Sequence, residues 1–109
     1  MANAYLERLT ADYDQHGRQS IAVAELDCEV YWTPVTVAER AKIVARVNEG
    51  NASEATVYAV ILKAEDAEGK KMFSLEDKQT LMRRVRASVI EKIASAILTE
   101  PSLEALEKN

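Results

Sequence analysis

Residues 53 to 65 constrain this chain more than any other stretch. Ala55, Tyr58, Ala59 and Leu62 form one apolar stripe at helical spacing, and Val57, Val60, Ile61 and Ala64 form a second beside it. Two adjoining stripes leave almost no polar face, so such a helix is stable in water only when other elements cover it from more than one side. The pattern predicts a central buried helix over 53–65 with the rest of the chain wrapped around it. At 109 residues the chain can build one such core and not two ordinary domains.

The flanking segments supply the cover. Residues 3–15 read as a short helix with a narrow stripe, Tyr5, Leu6, Leu9 and Tyr13, stopped at His16-Gly17. Ile21, Val23 and Glu29-Val30-Tyr31-Trp32-Thr33 alternate and are rich in β-branched and aromatic residues, which predicts a β-hairpin over about 20–33. Pro34 closes it, and Thr36-x-x-Glu39 is a capping box that opens a helix running to about Asn48. Glu49-Gly50-Asn51 ends that helix, and Asn51 or Ser53 caps the central one. After a turn at 66–71 and a brief extended stretch at Lys71-Met72-Phe73, Ser74-x-x-Asp77 caps a helical signal that continues to Leu98. Val85, Val89, Ile93 and Ile97 form its apolar side, with room for a break near Leu81 to Arg84, and Pro101 stops it. The expected fold is therefore mainly α with a small β-hairpin (α+β), a compact helical domain of four to five helices. Residues 1–19 are expected to form an N-terminal helical arm, 20–98 the globular helical domain, and 99–109 a flexible C-terminal tail.

Composition narrows what such a domain does. Its formal net charge is −4, which gives the electrostatic term for nucleic acid or anionic lipid the wrong sign. The basic cluster Arg83-Arg84-x-Arg86 reads as solvated helix surface. No apolar run approaches the ~20 residues of a membrane span, and the N-terminus has no apolar signal-peptide region. One cysteine excludes an internal disulfide and fits a reducing cytoplasm, the expected location.

No catalytic constellation emerges either. His16 and Cys28 are the only possible thiol–imidazole pair, and nothing resembling a nucleophile turn surrounds either. Together they cannot furnish a structural zinc site. With Gly69 at the sixth position of a calcium loop, the first and last ligands would be Ala64 and Leu75, which cannot coordinate. Three scattered glycines cannot build a phosphate-binding loop. No cofactor and no catalytic residue are expected, and the chain is expected to work by binding proteins. The candidate partner-binding residues are the apolar faces of the two ends, Tyr5, Leu6 and Leu9 with Leu103 and Leu106, and the aromatic pair Tyr31 and Trp32, residue types enriched at interface hot spots. Trp32 has a competing role as a core residue under the hairpin.

Two motifs, in order, carry a resemblance. Thr36, Glu39 and Arg40 form a Thr-x-x-Glu-Arg helix start after a hairpin strand, and Asp66, Gly69, Lys70, Phe73, Ser74 and Asp77 follow a pattern Asp-x-x-Gly-Lys-x-x-Phe-Ser-x-x-Asp. Over Glu29 to Leu98, about two thirds of the chain, this order resembles the tail assembly chaperones of long-tailed phages and prophages. The resemblance implies a protein present during virion assembly and absent from the mature particle. It would bind the tape measure protein and help recruit tail tube subunits, with self-association a further property of such proteins. The alternatives are a small phage or bacterial structural or adaptor module, such as a head–tail joining component, and a nucleic-acid-binding regulator that uses Arg83, Arg84 and Arg86.

Overall fold

A computed structural model describes residues 3–99. In chain order it contains helix α1 (Ala4–His16), strands β1 (Gln19–Val23) and β2 (Cys28–Trp32), and helices α2 (Val37–Asn48), α3 (Ala52–Lys63), α4 (Lys78–Arg83) and α5 (Ala87–Leu98). Single 3-10 turns at Ala24–Leu26 and Leu75–Asp77 complete it. The class is mainly helical α+β, as the apolar periodicity implies.

The centre is α3, and its two stripes meet different partners. Ala55 and Ala59, a small-residue face, pack with Ile43 of α2. Val57, Val60, Ile61 and Ala64 join Val89, Ile90, Ile93, Ala94 and Ile97 of α5, Leu81 of α4, and Val23, Val30 and Trp32 of the hairpin. Thr36 opens α2 through the expected reciprocal cap: the Glu39 amide donates to Thr36 Oγ1 (3.2 Å), and the Thr36 amide donates to Glu39 Oε1 (3.0 Å). The strands pair antiparallel with Ile21 opposite Val30 and Val23 opposite Cys28, so Ile21, Val23, Val30 and Trp32 share the core-facing side. Asp27 ends the connecting turn in the left-handed region, at φ 53°.

One boundary differs from the sequence expectation, and one that it leaves open is settled, both for tertiary reasons. The central helix ends at Lys63 rather than at 65, because Ala64 turns extended and Glu65 bridges to the free edge of β2. The Tyr31 amide donates to the Glu65 carbonyl (2.9 Å), and the Glu65 amide donates to the Tyr31 carbonyl (2.8 Å), which covers an edge that would otherwise lie open. The helical signal from Leu75 to Leu98 divides into a 3-10 turn, α4 and α5, with the break at Arg84–Arg86. An unbroken helix over that span would be about 36 Å long against about 18 Å for α3, and half its apolar stripe would overhang the helix it must cover. The break lets both α4 and α5 pack on α3.

Candidate protein-binding surfaces

The arm α1 stands apart from the core: none of its residues is buried. Asn3 caps it, accepting from the amides of Tyr5 (2.9 Å) and Leu6 (3.1 Å). Gly17, at φ 59°, ends it. Tyr5, Leu6 and Leu9 are 75%, 58% and 68% exposed and lie on one side at i, i+1 and i+4, and Tyr13 continues the stripe. Arg18 fastens the base of this arm to the body. Its guanidinium donates to the carbonyls of Asp66 (2.6 Å) and Ala67 (3.1 Å), lies over the Tyr31 ring (4.6 Å to the centroid), and reaches Glu65 (3.6 Å).

That fastening explains the acidic turn of the sequence motif. Asp66 accepts from the amides of Glu68 (2.8 Å) and Lys70 (3.0 Å), and Gly69 supplies the positive φ (87°) that closes the turn. The Lys70 amide, more than any other donor, holds the Asp66 carboxyl below its ordinary range. Ser74 and Asp77 close the next turn, the Ser74 amide donating to Asp77 Oδ2 (2.8 Å). Tyr31 is half-buried, and its hydroxyl donates to Glu29 (3.1 Å), which pushes the phenol's pKa upward.

The motif residue Glu39 has a partner that sequence spacing does not reveal. Lys63 is 1% exposed, and its Nζ donates to Glu39 Oε1 (2.9 Å) and Oε2 (3.0 Å), to Thr33 Oγ1 (2.8 Å) and to the Pro34 carbonyl (3.4 Å). One buried ammonium thus ties together the hairpin exit, the start of α2 and the end of α3. Burial would raise the Glu39 pKa, but the bond from Lys63 outweighs it together with the Thr36 amide, and the carboxyl lies below its ordinary range. A lysine in a stretch that reads as wholly apolar is the only sequence signal of this network.

The other sequence candidates distribute as follows. Trp32 is 6% exposed and belongs to the core, so it is corrected from a surface anchor to a packing residue. Its edge, with Pro34, Val35, Ile97 and Leu98, lines a small hollow beside His16. Leu103 and Leu106 lie outside the described residues. Cys28 is exposed and far in context from His16, which instead contacts Asp12 within α1. Among the described residues no group of His, Cys, Asp and Glu is arranged to hold a metal, and no helix is long and apolar enough to cross a membrane. A second concavity, a groove of about 310 Å³ between α3, α4 and α5, was not foreseen from sequence. Its walls come from segments up to 38 positions apart, Ser53 to Glu91, so no local pattern could announce it.

A solved structure matches this arrangement. The tail assembly chaperone of bacteriophage HK97 superposes with a TM-score of 0.58, covering 92% of this chain and 100% of that one at 14% sequence identity. The chain has the fold of that chaperone. No family model matches the sequence, and no curated protein does. At 14% identity the likeness is one of fold, and it spans nearly the whole length of both chains.

Proposed function

We propose that this protein is a tail assembly chaperone of a long-tailed phage or prophage, which binds the tape measure protein and helps recruit tail tube subunits in the host cytoplasm without entering the mature virion. The observation that carries this reading is the likeness of fold over 92% of the chain to the HK97 chaperone. The exposed stripe of α1 supports it, because an amphipathic helix whose apolar residues Tyr5, Leu6 and Leu9 stand exposed is a means of engaging another protein. Tyr5, Leu6 and Leu9 are the contact residues of this reading, joined by Tyr31, Leu103 and Leu106, and self-association along the partner belongs to it. The test is co-expression with the tape measure protein. The wild-type chain should keep that protein soluble and co-purify with it, and Tyr5→Ser/Leu6→Ser/Leu9→Ser should lose the complex while its melting temperature stays close to that of wild type. A tape measure protein that remains insoluble with the wild-type chain present would refute the proposal.

A further inference from the structure

The hollow beside His16 opens at the point where α5 ends. Trp32, Pro34, Val35 and Leu98 give it apolar walls, and Thr99 stands on its rim. Among the described residues Arg40 is the one lysine or arginine that lines it, and no aspartate or glutamate does. Arg40 is exposed and meets no carboxylate among the described residues. The capping box and the bond from Lys63 account for Thr36 and Glu39 of the first sequence motif, and leave its third residue, Arg40, without a task. At Thr99 the backbone turns extended (φ −94°, ψ 112°), so the chain leaves the axis of α5 there, and Pro101 keeps the helix from resuming. Residues 100–109 carry Leu103 and Leu106 among three glutamates, Glu100, Glu104 and Glu107, and one lysine. Leu103 comes four residues after the rim, a tether of at most about 14 Å.

We propose that the tail 100–109 closes this hollow in the free protein, with Leu103 seated against Trp32, Val35 and Leu98, Leu106 beside it, and the tail's glutamates toward Arg40. Three features choose this occupant over a separate partner. The tether holds the tail at the site at an effective concentration on the order of millimolar, whatever the protein concentration. The charges match, an acidic tail against a wall whose arginine has no carboxylate beside it. The hollow is also shallow, about 30 Å³ against about 310 Å³ for the groove between α3, α4 and α5, so it takes the tip of a leucine and not the face of a helix. So small a seat makes the closure weak. About equal covered and open populations favour the folded state only about two-fold, which amounts to about 2 °C in melting temperature for a domain of this size. The inference concerns the chain alone and holds or fails apart from the chaperone reading. Where that reading also holds, a partner that takes Leu103 and Leu106 competes with the hollow for them.

The test compares the full chain with the chain truncated after Thr99 by NMR. The amides of Gln19, Val35 and Arg40 and the indole N–H of Trp32, the only tryptophan, belong to the hollow and lie far from the cut in sequence, so they should shift between the two forms. In Leu103→Ser/Leu106→Ser, which keeps the length and charge of the tail, these signals should take the truncated chain's positions. In Arg40→Glu, which alters an exposed side chain, closure should weaken about three-fold or more. The difference between full and truncated forms, read at Gln19 and Trp32, should then fall to about half or less. A synthetic peptide of residues 100–109, added to the truncated chain, should restore the shifts with a Kd on the order of millimolar. Signals of the hollow that do not move on truncation, or that keep their full-chain positions in Leu103→Ser/Leu106→Ser, would overturn the proposal. Shifts that grow with protein concentration would also overturn it, by placing the tail on a second copy.

Discussion

Removing Glu39 should damage this protein far more than removing the lysine it pairs with. Glu39→Ala leaves the Lys63 ammonium, 1% exposed, with only the Thr33 hydroxyl and a long bond to the Pro34 carbonyl. Breaking one side of a buried pair costs about 3–5 kcal/mol, because the remaining charge is stranded. Glu39 is itself a quarter exposed, so the lower part of that range applies, and loss of its half of the capping box adds about 0.5–1 kcal/mol. The expected total is about 3–4 kcal/mol, or a fall in melting temperature of about 10–20 °C for a domain of this size. Lys63→Met leaves Glu39 accepting from Thr36 and open to water on one side, so it should cost within about 1 kcal/mol. Urea denaturation of both variants gives the comparison. If Lys63→Met is as damaging as Glu39→Ala, or if Glu39→Ala costs less than about 1 kcal/mol, the stranded-charge argument is wrong. Acid provides an internal check. The folded Glu39 pKa lies below its ordinary 4.5, so the pair's contribution is fully present above about pH 4.5 and is lost as pH falls through the lower folded value. The stability advantage of wild type over Glu39→Gln should shrink over that acid window and stay constant above it.

Other outcomes follow from the same structure. Trp32→Ala should cost about 3–5 kcal/mol in chemical denaturation, as expected for a large core side chain. Gly69→Ala should cost about 1–2 kcal/mol from its φ of 87° alone, because a Cβ there meets open space, and Gly69→Asn should recover part of the loss. Truncation after Thr99 should move the melting temperature by no more than about 2 °C, since the core formed by the described residues runs from Val23 to Ile97; a large fall in differential scanning fluorimetry would show that Leu103 and Leu106 are core.

What the sequence discloses is what is local. The capping box at Thr36 and Glu39, the glycine turn at Gly69 and the two stripes of α3 are each written within a few residues, and the structure realises them. The break at Arg84–Arg86 is legible only as an option near Leu81 to Arg84, because Leu, Met and Arg all favour helix. Its cause is the length of α3, which is a property of the assembled core. Lys63 is hidden for the same reason. Its partner lies 24 positions away, and only the packing of α2 on α3 brings the two charges together. Trp32 shows the converse: an aromatic on a hairpin can face either way, and the register with Gln19 turns it inward.

The bareness of α1 has a thermodynamic consequence. A helix of 13 residues, none of them buried and only His16 at its base largely covered, has little beyond its Asn3 cap and local bonds to oppose chain entropy, and isolated helices shorter than ~12–15 residues are marginal in water. Its amides should therefore exchange with solvent orders of magnitude faster than those of α3, through openings that leave the core intact. Any partner that captures the stripe must spend part of its contact energy on holding the helix wound, so capture is weaker than the apolar area alone implies and release is correspondingly fast. Strengthening α1 in isolation, by alanine at its solvent positions, would tighten that grip and slow the letting go.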